Sequence, residues 1–360
     1  MRAVASVTVV AIALAAYPTL ARAEHTSAAY WKAVQARCDA TAATAPNEFG
    51  RRIAQTAIKE FTSFGGHLID SDGRLFHFGL TEAEHQDDMG EQAGIGQLRW
   101  WQVMKYWRSM FGDDPAKKLE VRGYGDASTL TDEAKAVPLL RTDAERLLRA
   151  ADGVSDPAAR EILREAALRA AIIDTPWSAA FISYVIRQAG VPEDAFRYAN
   201  AHRTFIYDAF RTSAAELTNA AGDRLYRACP LTTTRPRPGD LICEQREPAL
   251  AGVSGRTVRE RIRKELEGDI STHSIQRTHC EVVAYVDEAA RKVYTIGGNV
   301  DQAVTVRKLN LRGDLKFSSA QKGRCGGAGH WTLPQPLADA PRSVKCSLND
   351  KKWFVLLQAR

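Results

Sequence analysis

Residues 174–185, DTPWSAAFISYV, decide how the rest of the chain is read. Proline is tolerated in a helix's first turn, where its missing N–H costs nothing, and Asp174 or Thr175 just before Pro176 is a capping type. Apolar residues then run to Gly190, so the spacing predicts a helix with Ser178 in its first turn, at the positive end of the helix dipole. A hydroxyl there stands where a nucleophile stands in many hydrolases, and also where an ordinary helix-start residue stands.

Toward the N-terminus the pattern is helical. SDPAAREILREAALRAAII (155–173) opens with Ser155 or Asp156 as cap and Pro157 in the first turn, and ends near Asp174. LLRTDAERLLRAADG (139–153) is read as another helix, and 114–135 as a polar loop. In GIGQLRWWQVMKYWRSMF (94–111), Trp100, Val103, Met104 and Trp107 recur at helical spacing, which predicts core packing rather than a sugar-stacking platform. Two more helices are expected over 25–46 and 49–66, separated by Pro46 and closed by Gly65 and Gly66.

Toward the C-terminus a helix around NAHRTFIYDAF leads to the turn RPRPGD (235–240), and the period then changes. LIC (241–243), CEVVAYVD (280–287), KVYTIGGN (292–299), AVTVRKLN (303–310) and KWFVLLQ (352–358) are short, β-branched and turn-bounded. A charged amphipathic helix, VSGRTVRERIRKELEGDIS (253–271), looks like an insertion, placed at about 245–275. Helices first and a largely antiparallel sheet afterwards make the fold class α+β. The expected division is a helical region over 24–150 and a second domain over 151–360.

Residues 1–23, MRAVASVTVVAIALAAYPTLARA, read as a secretory signal, which places the mature chain in the periplasm or outside the cell. No other stretch is apolar enough to predict a transmembrane segment. Net charge is +6, or +4 once Arg2 and Arg22 leave with the signal, and it is spread out, which argues against nucleic acid as a partner. Six cysteines, Cys38, Cys229, Cys243, Cys280, Cys325 and Cys346, favour disulfides in an exported chain, among fifteen possible pairings. No C-x-x-C occurs, and His67, His77 and His85 beside Asp87 and Asp88 match no metal spacing, so neither metal nor other cofactor is expected; His330-Trp331 stays unassigned.

Four motifs then stand in one order: PWSAAFIS with Trp177 and Ser178, GDLIC with Asp240, THCEVV with His279 and Glu281, and YTIGGNV with Asn299. That order resembles the papain-like NlpC-type endopeptidases and CHAP amidases, in which a helix-start cysteine faces a strand-borne histidine. The wording is similar to that of an exported bacterial family known as domain of unknown function 2272. The resemblance implies a papain-like helix-plus-antiparallel-sheet core acting on an amide bond of peptidoglycan or a related envelope peptide. It implies Ser178 as nucleophile, His279 as base and Asn299 as orienter, with Glu281 second choice for that last role. Trp177 and His202 would line or support the groove, and Asp240 would hold turn N–H groups. The departure is Ser178, because a hydroxyl is far less acidic than a thiol and must lose its proton as it attacks. A catalytically inactive module that binds a cell-wall peptide or a protein in the same groove is therefore the alternative. The sheet order implied by the resemblance also sets Cys243 beside Cys280; Cys325–Cys346 is the second expected pair, and Cys38–Cys229 follows by elimination.

Overall fold

The computed structural model describes residues 27–79, 83, 98–124, 139–220, 224–268, 274–319, 321 and 347–360. The signal segment 1–23, His85, Asp87, Asp88, Cys325, His330, Trp331 and Cys346 lie outside the described residues. The helices are α1 (Ser27–Ala42), α2 (Glu48–Phe64), α3 (Arg99–Phe111), α4 (Ala144–Asp152), α5 (Pro157–Asp174), α6 (Ser178–Gln188), α7 (His202–Leu217) and α8 (Gly255–Glu267). The strands are β1 (Leu68–Ile69), β2 (Leu75–His77), β3 (Glu120–Tyr124), β4 (Leu139–Asp143), β5 (Tyr226–Pro230), β6 (Leu241–Gln245), β7 (Thr278–Asp287), β8 (Lys292–Val300), β9 (Ala303–Asn310) and β10 (Trp353–Ala359). Among the described residues, no helix is long and apolar enough to cross a membrane.

The architecture is mixed α+β. One eight-stranded sheet runs β2-β1-β9-β8-β7-β6-β10-β5, and β3 and β4 form a separate ribbon. Neighbours in the large sheet are antiparallel except β1 and β9, which are parallel.

Alternation along each strand feeds two apolar layers. On one face, Cys243, Val282 and Ile296 pack with Ile53 and Phe64 of α2, Trp100 and Trp107 of α3, and Trp177 and Phe181 of α6. On the other, Ile242, Val283 and Leu356 pack with Tyr30 and Val34 of α1. Trp100, Val103, Met104 and Trp107 are all buried, as their helical spacing predicts.

The α5–α6 junction departs from expectation. Residues 139–143 form a strand rather than the start of a helix, pairing in register with 120–124, which lie within the expected loop. Thr175 Oγ1 accepts from the Glu120 N–H at 3.2 Å, and Asp174 Oδ2 accepts from the Arg122 N–H at 3.1 Å. Both candidate caps are thus spent on β3, and α6 begins without a side-chain cap, its N-cap position taken by Trp177. Asp156 does cap α5, accepting from the Ala159 N–H at 2.7 Å. Strand β5 was also unforeseen; its Pro230 fits the sheet edge, where a missing N–H is tolerated.

Two disulfides tie the layers. Cys243 and Cys280 stand directly opposite in the β6–β7 register, Cα atoms 4.1 Å apart, and are bridged. Their bond closes the connection that carries α8. Cys38 of α1 is bridged to Cys229 of β5.

Candidate functional site

The turn Pro238-Gly239-Asp240 sets β6 against the rest. Gly239 has φ +92°, and a Cβ there would lie 2.3 Å from the Gly50 Cα, so two glycine backbones touch and α2 seats on the turn. Asp240 is fully buried, and its carboxylate accepts from the backbone N–H groups of Arg237 at 2.8 Å and Ala359 at 2.9 Å. Burial pushes its pKa up to about 7, against the Arg237 guanidinium and those two N–H bonds. Both oxygens are committed to backbone, which is the turn-holding role of an aspartate after glycine.

Ser178 is the first residue of α6 and is half-buried. The first-turn N–H groups of a helix have no preceding carbonyl to bond, so donors and the dipole's positive end gather around its hydroxyl. Ser183, one turn further on, donates to the Ala199 carbonyl at 3.1 Å and accepts from the Ala199 N–H at 3.2 Å. That pair of bonds fixes the segment leading into α7, and α7 opens with His202. His202 Nε2 lies 2.8 Å from Ser178 Oγ, the hydrogen bond of a hydroxyl and an adjacent base.

His202 is only 4% exposed, and its Nδ1 has no hydrogen-bond partner among the described residues. Burial first, then the neighbouring His279 and Arg246, hold its pKa well below the ordinary imidazole value, against the pull of Glu281. The ring is therefore neutral at pH 7. A neutral ring whose Nε2 accepts from the serine carries its proton on Nδ1.

His279, second residue of β7, lies edge-on to His202 with ring centroids 5.1 Å apart. It is buried, neither ring nitrogen makes a hydrogen bond among the described residues, and burial holds its pKa below the ordinary value despite Glu281. Glu281 Oε1 is 3.7 Å from His279 Nε2, an ion-pair distance too long for a hydrogen bond. The Glu281 carboxylate instead accepts from Thr295 Oγ1 at 2.5 Å and Arg307 Nε at 3.1 Å. Burial would raise its pKa, but Arg307, His279 and Thr295 together outweigh that and hold it well below the carboxylate range. Arg307 also donates to the Leu348 carbonyl at 2.6 Å and to Asn349 Oδ1 at 3.0 Å.

The two glycines of YTIGGNV have separate reasons. A Cβ on Gly297 would meet Glu281 Cγ at 2.8 Å and His279 Nε2 at 3.2 Å; one on Gly298 would meet Phe181 at 2.5 Å and Trp177 at 2.9 Å. Glycine therefore lets β8 approach both the histidine side and α6. Trp177 is fully buried, stacked on Phe64 with centroids 6.1 Å apart.

The structure thus brings Ser178, His202, His279 and Glu281 into one succession, in which the serine's hydrogen bond goes to His202, with His279 one ring further on. Asn299 takes a different part: it has φ +54° inside the β8 irregularity between Gly297 and Val300, and its side chain makes no hydrogen bond among the described residues. Asparagine tolerates that left-handed backbone better than most residues. Arg307 and Thr295 were not singled out from sequence. The available signal was an arginine at the alternate position shared with Thr305 and Leu309, all buried, since a buried arginine calls for a carboxylate. Among the described residues, no group of three or more His, Cys, Asp or Glu is placed to hold a metal ion.

Residues 96–359 match the profile of a family described as uncharacterized protein conserved in bacteria, DUF2272, and the chain belongs to that family. No curated protein and no solved structure matches it.

Proposed function

We propose that this member of DUF2272 is an exported serine-type hydrolase that opens an amide bond in peptidoglycan or a related envelope peptide. On this reading its core is a papain-like variant akin to the NlpC-type and CHAP hydrolases, with serine in the cysteine position. The observation that carries it is the 2.8 Å bond between Ser178 Oγ and a buried histidine that burial keeps neutral. Ser178 Oγ attacks the carbonyl carbon while His202 Nε2 takes its proton, and the first-turn N–H groups of α6 face the oxyanion that forms. The imidazolium gives that proton to the leaving amine, and water then hydrolyses the acyl-serine by the same relay in reverse. The Glu281 charge beyond His279 favours the imidazolium. The substrate class rests on the motif resemblance. Export rests on residues 1–23 and on the two disulfides, which suggest an extracellular or periplasmic environment.

A second reading, a groove that binds a cell-wall peptide without turnover, draws on His202 Nδ1, which has no acidic orienter among the described residues. Incubation with purified peptidoglycan separates the two. The hydrolase releases soluble fragments with new amino groups, and Ser178→Ala releases none. Sedimentation with peptidoglycan but no new amino groups from wild type leaves the binding module.

A further inference from the structure

A cavity of about 1250 Å³ lies away from Ser178, between α1 and α8. Its walls carry Lys32 from α1 and Arg256, Arg259, Arg261 and Lys264 from α8. Two carboxylates also line it, and both are engaged. Glu260 accepts from Ser27 at 2.8 Å, Trp31 Nε1 at 3.0 Å and Arg263 at 2.7 Å, and the Arg263 bond leads the causes that draw its pKa down to about 2. Glu265 accepts from Tyr207 at 2.6 Å and from Ser274. Lys32, Arg256, Arg261 and Lys264 are exposed and make no ion pair among the described residues. Arg259 is more confined: its guanidinium lies 5.5 Å over the Trp31 ring, and its Nε is buried without a hydrogen-bond partner. Burial and the nearby Arg256 bring its pKa down to about 10, so an anion arriving here would relieve a cation already disfavoured. A smaller space of about 250 Å³ shares Arg256 and Arg259 with this one, so the cationic lining continues past the first cavity.

We propose that this α1–α8 cavity is a binding site for a ligand bearing phosphoryl groups in series, gripped by Arg256, Arg261 and Lys264 around Arg259 and Trp31. One carboxylate charge would leave most of these cations unmatched. A phosphoryl group brings up to two charges and three acceptor oxygens, and guanidinium forks match its geometry. Two spaces that share Arg256 and Arg259 suit more than one such group. The site does not depend on the hydrolase reading, because none of its lining residues belongs to the Ser178 succession.

The test uses the full mature protein, sodium tripolyphosphate as the soluble probe and phosphatidylglycerol vesicles as the surface probe, at low and at raised salt. Wild type is expected to bind tripolyphosphate, weakening as salt rises. Arg256→Gln/Arg261→Gln/Lys264→Gln should bind at least about tenfold more weakly, with an unchanged circular dichroism spectrum. A Lys117→Gln/Lys118→Gln control, which removes exposed charge elsewhere, should bind as wild type. Tripolyphosphate binding identifies a phosphoryl chain as ligand, whereas binding to vesicles alone, whose headgroup carries a single phosphodiester, overturns the assignment of phosphoryl groups in series. If neither probe binds, or if the triple variant and the control bind alike, the proposal fails.

Discussion

Two buried polar regions of this molecule have opposite economies of hydrogen bonding. At the Pro238-Gly239-Asp240 turn, a fully buried carboxylate has each of its oxygens accepting from a backbone N–H group. At the start of α6 and α7, His202 Nδ1 and both nitrogens of His279 are buried and have no hydrogen-bond partner among the described residues, while His202 Nε2 is hydrogen-bonded to the Ser178 hydroxyl. Burial is common to both. What sets the candidate site apart is the combination of unpartnered ring nitrogens with a hydroxyl at a helix start, since burial and a shifted pKa occur in both regions.

The largest expected effect is on turnover. Ser178→Ala and His202→Ala should each cut it at least about 10³-fold with melting temperature nearly unchanged, and the double variant should be little worse than either. His279→Ala should cost less than either.

Next come the buried charges behind the histidines. Glu281→Gln leaves Arg307 buried without its counter-charge and should lower stability by about 3–5 kcal/mol in urea titration. A loss near zero would mean that Leu348 and Asn349 suffice for the guanidinium. Replacing Cys243 and Cys280 together by serine should remove roughly 3–4 kcal/mol, since their bridge closes a connection spanning 37 positions.

The turn should respond more mildly. Asp240→Asn sets an amide N–H against a backbone N–H and should cost about 1–3 kcal/mol, with kcat preserved. Loss of kcat with stability intact would place Asp240 in the site after all.

The smallest effect lies in pH dependence, where the two regions have opposite signs. The folded pKa of His202 is depressed below the ordinary 6.5, so its stability contribution is present above that pH and is lost as pH falls. The folded pKa of Asp240 is raised from 3.8 to about 7, so its contribution is present at low pH and is lost as pH rises through 7. From about pH 7 to about pH 5, stability of His202→Gln should fall less steeply than wild type, and that of Asp240→Asn more steeply. Because His279, Arg246 and Glu281 all face His202, the histidine difference should shrink in a His279→Gln background.

Much of this was legible in the sequence, for identifiable reasons. The strands β6 to β10 announced themselves by β-branched runs between turns, and α5 by Asp156 and Pro157. The Cys243–Cys280 bridge followed from the strand pairing that the motif resemblance implied. Strand β4 was hidden because LLRTD runs into a helical repeat and takes its conformation from β3, its partner across the ribbon. For the same reason Asp174 and Thr175 looked free to cap α6, when β3 claims both. Which histidine meets Ser178 was not readable, because it depends on how α7 is anchored, through Ser183 and Ala199, against α6. His202 carries no local mark that separates it from any other histidine at a helix start.

The central claim is that Ser178 is a nucleophile activated by His202. A phosphonofluoridate probe, which bonds covalently to an activated serine with loss of fluoride, tests it without knowledge of the substrate. One adduct is expected on wild type, mapped by peptide mass spectrometry to Ser178, absent from His202→Ala and retained, if slower, in His279→Ala. No adduct on wild type, or labelling of Ser178 at the same rate in His202→Ala, would contradict it.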